Sequence, residues 1–388
     1  YAIRTLHEQK YRSPTSNYAD AQDIVNMILD HPLCDADVLA QKDSSSSSVL
    51  AHATSYELPN ILERMLNHPS CKVDHLMQLV PNAVDERSIL MTATFCRNKE
   101  IAKVILEHKK CVAEVFKQQN KSGKNALMCA ANEHGDKEIV GMMLRDEKCD
   151  KDFIMQQDKD GVSALMCAAK HGYKEIVEMI LRDEKCDKDV IMQQDKDGVN
   201  ALMFAAMKGK LDALEKILND PRCDLEVLQS VDVNSNNVLI LVSSGLGEVY
   251  EYIPRYLDIV SMILDHSKCP ADILKQQNKF GQSTLSVLVG LINERAGFPL
   301  YAEQQSRLRM LKEFSQMVLR HRICDASVLK QEVQDGNNTL MWATINGYTE
   351  IVETILDNSS CDLGVLEQKN KHGDDALTIA QKNNATDI

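Results

Sequence analysis

Residues 158–194 read DKDGVSALMCAAKHGYKEIVEMILRDEKCDKDVIMQQ, and this stretch decides the fold. The segments on either side of it, 120–157 and 195–231, align with it almost without gaps. One cysteine marks each copy, at intervals of 37 to 40 residues apart from two stretched intervals of 46 and 55 residues. These cysteines are Cys34, Cys71, Cys111, Cys149, Cys186, Cys223, Cys269, Cys324 and Cys361. Such a period predicts a tandem array of one supersecondary unit rather than several globular domains.

Each copy predicts a turn followed by two helices. Asp158 and Gly161 stand at the first and fourth positions of a turn signal. The apolar run 164–169 predicts a short helix whose small residues allow close packing, and Gly172 suits a C-terminal cap with positive φ. A second, amphipathic helix is predicted from Lys174 to Leu181. Its buried stripe is predicted to be Ile176, Val177, Ile180 and Leu181.

The run Gly161-Val-Ser-Ala-Leu-Met-Cys-Ala-Ala, followed by Gly172-Tyr-Lys-Glu-Ile-Val-Glu-Met-Ile-Leu, resembles the ankyrin repeat (G-x-T-P-L-H-x-A-A-x-x-G-H-x-E-I-V-x-x-L-L). The resemblance implies an all-α ankyrin-repeat solenoid of helix-turn-helix units with β-hairpin-like loops, about ten repeats including caps. Ala164 and Met166 replace the family's Pro and His. The unit is also about four residues longer than the usual 33.

The additional residues follow the second helix and have a consensus of their own. In the copy quoted above they read Cys186-Asp-Lys-Asp-Val-Ile-Met-Gln. An Asp followed three and four positions later by apolar residues is typical of an N-capped helical turn. We therefore predict one extra helical turn through Asp187–Gln193, with its two apolar side chains packed on the core. The cysteine takes the place of a small buried residue at the preceding corner.

The predicted repeats form one solenoid and span residues 1–42, 43–80, 81–119, 120–157, 158–194, 195–231, 232–277, 278–332, 333–369 and, in part, 370–388. Two of them are enlarged, by residues within Ser243–Pro254 and within Asn293–Arg309. Insertions in adjacent repeats emerge on one side of such an array. We expect these two to form a second contact surface, to which five aromatic residues belong. They are Tyr250, Tyr252, Tyr256, Phe298 and Tyr301.

Composition excludes several classes of protein. The formal net charge of -13 opposes general nucleic-acid binding, and no apolar run approaches the length that spans a bilayer. Cysteines that recur once per repeat lie too far apart for disulfides, so we expect reduced thiols and a cytoplasmic location. The missing initiator Met and the incomplete last repeat favour a fragment of a longer protein.

No catalytic, metal or cofactor site is predicted. Zinc sites need ligands a few residues apart, whereas the closest cysteines, Cys96 and Cys111, are fifteen apart. The Asp-Lys-Asp-Gly turns lack the bidentate Glu of a calcium loop. Nucleophile, phosphate-binding and dinucleotide motifs are absent from the sequence. A weaker hypothesis concerns Cys96, which lies at the expected end of a first helix beside Arg97, and which we expect to be exposed with a lowered pKa.

Lysines recur at the second position of the turn, and stacking is expected to align several of them. They are Lys121, Lys159, Lys196, Lys279 and Lys371. Such a row is either a solvated edge that resists aggregation or a positive stripe that steers an acidic peptide.

The resemblance to ankyrin arrays implies a non-enzymatic, monomeric scaffold that binds a partner protein or peptide in a concave groove. The expected groove positions are Lys121, Lys124, Asn132, Lys159, Asp160, Val162, Lys170, His171, Lys196, Val199, Met207, Lys208, Asn337, Ile345 and Asn346. The alternative is a targeting module of a larger enzyme, channel or secreted bacterial effector, acting in the host cytosol in the last case. Its activity would then lie outside residues 1–388.

Overall fold

The computed structural model describes residues 17–44, 46–79, 86–132, 135–245, 253–293, 302–332 and 334–383. Contacts divide the chain into two compact units, Tyr1–Lys196 and Asp197–Ile388. Each unit is a stack of repeats, and within it first helices pack on first helices and second helices on second helices. The described residues contain no sheet, and the one isolated β-bridge joins Lys42 to Ser48. The all-α fold class is confirmed.

The helices of the first unit fall into three sets. Its first helices are α3 (Val49–Ser55), α6 (Ile89–Phe95), α9 (Ala126–Ala131) and α12 (Ala164–His171). Its second helices are α1 (Asn17–Asp30), α4 (Pro59–Asn67), α7 (Lys99–Glu107), α10 (Lys137–Arg145) and α13 (Lys174–Arg182). Its short third helices are α2 (Ala36–Ala40), α5 (Val73–Leu76), α8 (Ala113–Phe116), α11 (Lys151–Met155) and α14 (Lys188–Met192).

The second unit repeats the same three sets. Its first helices are α15 (Ala201–Met207), α18 (Val238–Gly245), α20 (Thr284–Asn293), α23 (Thr339–Ile345) and α26 (Ala376–Lys382). Its second helices are α16 (Leu211–Leu218), α19 (Ile253–Leu264), α21 (Ala302–Arg320) and α24 (Thr349–Leu356). Its third helices are α17 (Leu225–Leu228), α22 (Ala326–Leu329) and α25 (Leu363–Leu366), and a 3₁₀ turn covers Gln334–Gly336.

The predicted helix pair is confirmed in the copy at 158–194. Ser163 caps α12, and the helix ends at Gly172 with φ of 81°, a left-handed conformation that glycine adopts without a Cβ penalty. On α13 the predicted apolar stripe is buried throughout. Met166, which replaces the family's His, accepts only a weak contact of 3.5 Å from the Ser163 N–H to its sulfur. The carboxylate of Asp158 closes the turn instead, since it accepts from the N–H groups of Asp160 and Val162 at 2.9 Å.

The predicted extra turn is also confirmed. Asp187 accepts from the Asp189 N–H and caps α14, while Val190 and Ile191 are at most 1% exposed. The consensus Gln reaches back to the third helix of the preceding repeat, as Gln193 Nε2 does to the Met155 carbonyl at 2.7 Å. In the copy with Cys269 the capping Asp is replaced by Pro270, and the residues after it form turns rather than a helix.

All twelve cysteines lie in the described residues and are free thiols. Most repeat cysteines are buried, and burial raises the pKa of Cys149, Cys223 and Cys324 to about 12. Desolvation penalises the thiolate, so these groups stay protonated and pack as small apolar side chains. Their regular spacing is therefore an architectural feature.

The two insertions differ in how much of them the structure describes. Residues 246–252 and 294–301 lie outside the described part. The end of the second insertion continues α21, which has 19 residues where α13 has 9. At least part of that insertion therefore lengthens a second helix.

Candidate functional site

In the first unit, backbone hydrogen bonds join three successive turns. The Lys159 N–H donates to the Ser122 carbonyl at 2.8 Å, and the Lys196 N–H donates to the Asp160 carbonyl at 2.9 Å. The first two turns are also closed internally, since the Gly123 N–H donates to the Asn120 carbonyl and the Gly161 N–H to the Asp158 carbonyl, each at 2.9 Å. The turns therefore form a continuous edge with fixed spacing. Their second-position side chains point from a preorganised backbone, which lowers the entropy cost of binding.

The lysines of this edge differ in their surroundings. Lys121 is exposed, and its Nζ lies 2.5 Å from Glu86 Oε1. Lys159 and Lys196 are exposed, and neither ammonium group forms an ion pair within the described part of the unit. Asp160 is exposed between them. The edge therefore carries two unpaired cations together with a carboxylate, so its charge is mixed rather than uniformly positive.

The ends of the first helices in this unit carry a polar pair that bridges adjacent repeats. His171 Nε2 lies 2.9 Å from Asn132 Oδ1, and the His171 ring stacks on Tyr173 at 5.8 Å between centroids. Both members of the pair are half-buried. The structure thus brings these two predicted groove residues into contact. Three further predicted residues are at least partly accessible in this unit, namely Lys124, Val162 and Lys170.

In the second unit, four predicted groove residues remain accessible. Lys208 and Ile345 are exposed, and Met207 and Asn346 are half-buried. The Asn346 amide is engaged, because its Nδ2 donates to the Trp342 carbonyl at 2.8 Å. Ile345 presents a large apolar side chain with 41% of its surface exposed.

Two predicted groove residues are wrong as contact residues because they are buried. Val199 and Asn337 are each only 7% exposed. Both directly precede the residue that caps a first helix, and that position turns inward in these copies. Asn337 Oδ1 accepts from Asn370 Nδ2 at 2.9 Å, so it joins neighbouring repeats.

The predicted aromatic contact surface also needs correction. Tyr256 is 1% exposed on α19, and its hydroxyl donates to the Met207 carbonyl at 2.9 Å. It is a core residue, and the expectation that it forms part of an exposed surface is wrong. Its apolar neighbours on the amphipathic helix carry it inward. The other four residues lie outside the described part: Tyr250, Tyr252, Phe298 and Tyr301.

Sequence reasoning missed the most exposed aromatic residue of the turns. Phe280 is 72% exposed at the third position of its turn. Val233, at the second position of the preceding turn, is 46% exposed. Aligning the turns finds both, since the position of Phe280 holds Ser122, Asp160 or another polar residue elsewhere.

The proposal of a reactive Cys96 is wrong in its premise. Cys96 is half-buried at the end of α6, and its pKa is raised, mainly because burial disfavours the thiolate. The Glu57 carboxylate raises the pKa further, whereas Arg87 lowers it. Arg87 instead lies over the Phe95 ring, 3.7 Å from its centroid. Proximity in sequence to Arg97 was therefore a misleading signal.

The described residues contain no cluster of three or more His, Cys, Asp or Glu side chains arranged to hold a metal ion. Within the same part of the chain, no helix combines the length and apolarity that crossing a membrane requires. A family model for ankyrin repeats, three copies long, matches residues 50–155, 112–192 and 133–229. No curated protein matches the sequence. Ankyrin repeats are in general protein–protein interaction modules and are typically not catalytic.

Proposed function

We propose that this chain is a non-enzymatic scaffold that binds a partner protein or peptide on its turns and first helices, because a family model for ankyrin repeats matches it between residues 50 and 229. The turn edge of the first unit carries this proposal. Its backbone is fixed by the Lys159 and Lys196 hydrogen bonds, while the ammonium groups of these two lysines form no ion pair within the described part of the unit. A surface that is rigid in its backbone and free in its side chains is suited to recognition.

The proposed contact set follows from exposure. It keeps the predicted groove residues that remain accessible and omits Val199, Asn337 and Tyr256. The pairing of His171 with Asn132 presents an ordered imidazole at the end of α12. The free thiols are compatible with a reducing compartment, where such a scaffold keeps its cysteines unmodified.

Affinity purification with the whole chain as bait tests the proposal. Wild type is compared with the combined variant Lys159→Ala, His171→Ala, Lys196→Ala and Met207→Ala. The matched control is Glu175→Ala, which changes an exposed residue on the second helix α13. We expect specific partners to be lost with the combined variant and retained with the control. Retention of every partner by the combined variant contradicts the proposal.

A further inference from the structure

The turn edge of the second unit differs from that of the first in displaying an exposed aromatic ring. Phe280 is 72% exposed, and Val233 on the preceding turn is 46% exposed. The Lys279 N–H donates to the Asn234 carbonyl at 2.8 Å, which places these two turns side by side. Val231, just before the first of the two turns, is 38% exposed. Three large apolar side chains are thus at least partly exposed on or directly beside adjacent turns.

The fold does not require these side chains to be apolar. At the position of Phe280 the other turns carry polar residues, among them Asn234 and Asp335. A ring that is 72% exposed contributes little to folding by burial, since that contribution scales with the apolar area removed from water. Exposed apolar groups that lie together mark an interaction site more often than a structural need.

The Phe280 turn is also held rigidly. Asn278 Oδ1 accepts from the N–H groups of Phe280 and Gln282, each at 2.9 Å. Asn278 Nδ2 donates to Asn236 Oδ1 at 2.9 Å on the preceding turn. The Gly281 N–H closes the turn on the Asn278 carbonyl, also at 2.9 Å. The ring is therefore presented on a fixed backbone, and a partner that covers it loses little chain entropy.

The cation next to the ring favours a partner segment with negative charge. Lys279 is exposed next to Phe280, and its ammonium group forms no ion pair with a described residue. On the turns that follow, Asp335 and Lys371 are exposed, and the Lys371 N–H donates to the Asp335 carbonyl at 3.1 Å. Glu332, directly before the first of those turns, is exposed as well, so the exposed charges of these turns balance, and Lys279 is the charged residue adjacent to Phe280 in the sequence.

From these observations we propose that the Phe280 turn is the anchor point for a partner segment in which a large apolar side chain is flanked by carboxylates. The apolar side chain covers Phe280 and Val233, and a carboxylate pairs with the Lys279 ammonium. Aromatic residues in the centre of a contact supply a large share of binding energy, while a charge at its edge sets sign and association rate. This rests on the proposed scaffold function and adds the chemistry of the ligand.

Selection of peptides from a phage-displayed library of random twelve-residue sequences on the whole chain tests this inference. Enriched peptides are synthesised, and their Kd is measured by fluorescence anisotropy. We expect an aromatic or aliphatic residue close to Asp or Glu in the enriched sequences. Phe280→Asp should raise their Kd about tenfold or more. Lys279→Glu should raise the Kd about three- to tenfold, and this increase should become smaller at high salt, which screens the charge.

The matched control is Leu225→Asp, which places the same charge at another exposed apolar residue of this unit, on α17. It should leave the Kd unchanged. Circular dichroism of each variant checks the fold, which an exposed substitution should not disturb. Peptides that bind Phe280→Asp as well as wild type but fail on Lys159→Ala with Lys196→Ala overturn this inference and leave the scaffold function standing. Selection that enriches no peptide on either surface counts against both.

Discussion

The repeats at 120–157 and 158–194 have nearly the same sequence and fold, yet they satisfy their buried polar groups differently. In the first, Asn125 caps α9 and its Nδ2 donates to the Phe153 carbonyl at 3.2 Å and to Gln156 Oε1 at 2.8 Å. In the second, Ser163 caps α12 but has no side-chain amide N–H to donate. Gln193 Oε1 is therefore left without a hydrogen-bond partner in the described residues.

The difference holds across the described repeats. Asn at the cap is paired with the consensus Gln in Asn125–Gln156, Asn237–Gln276 and Asn338–Gln368. Ser at the cap accompanies an unpartnered Gln Oε1 in the copies with Ser48 and Gln78, Ser88 and Gln118, Ser163 and Gln193, and Ser283 and Gln331. The copy with Asn200 reverses the mismatch, since Asn200 Nδ2 is unpartnered where Ser230 replaces the Gln. An Asn cap and the consensus Gln must therefore both be present for the extension to be closed by a full polar network.

The largest expected effect comes from removing the complete network. Asn125→Ala removes a helix cap, worth about 1 kcal/mol, and leaves the buried Phe153 carbonyl and Gln156 Oε1 with one donor fewer, at about 1–2 kcal/mol. We expect a loss of about 2–3 kcal/mol in unfolding free energy. Ser163→Ala removes only the cap and should cost about 1 kcal/mol. Urea unfolding followed by circular dichroism measures both, and equal losses would remove the basis of the comparison.

A second prediction concerns how the first helices end in different repeats. Gly172 has φ of 81°, whereas the equivalent Arg97 is held at φ of 54°. A side chain in this region costs about 1–2 kcal/mol relative to glycine. Gly172→Ala should therefore destabilise the chain by about 1–2 kcal/mol, and Arg97→Gly should stabilise it by about 0.5 kcal/mol or more. Thermal unfolding should show shifts of opposite sign, and shifts of the same sign would contradict the account.

A third prediction sharpens the comparison by adding the missing donor. Ser163→Asn gives α12 the cap that α9 has, and its amide is expected to donate to Gln193 Oε1 and raise stability by about 1 kcal/mol. The control is Ser163→Asp, which caps the helix equally well but has no N–H to donate. Urea unfolding should show a gain for Asn alone. A gain of the same size for Asp would assign the effect to capping rather than to the network.

The sequence was sufficient for the repeat but not for these differences. Periodic cysteines, the turn signal before Val162 and the apolar stripe of α13 follow from local rules, and so does the cap at Asp187. The pairing of Asn125 with Gln156 joins residues 31 positions apart, and no local pattern indicates it. Exposure was predicted worst, as Tyr256 shows: its helix lies after an insertion, so its register on the core could not be read from the neighbouring copies.

The smallest expected effect concerns the thiol at the first-helix end of the repeat at 81–119. Burial and the Glu57 carboxylate raise the pKa of Cys96 above its ordinary value, and Arg87 lowers it. Because the thiolate is the nucleophile, alkylation of Cys96 by iodoacetamide at pH 8 should be slower than that of an unstructured cysteine peptide. Glu57→Gln removes one cause and should lower the pKa, so the rate at pH 8 rises by up to a few-fold. Arg87→Gln removes the opposing charge and should slow the reaction.

Mass spectrometry of the labelled peptides gives the alkylation rate at Cys96. Buried Cys167, whose pKa burial raises to about 12, is the internal slow reference. If Cys96 reacts faster than the free peptide, or if the two variants shift its rate in the same direction, electrostatics at this helix end differ from those described here.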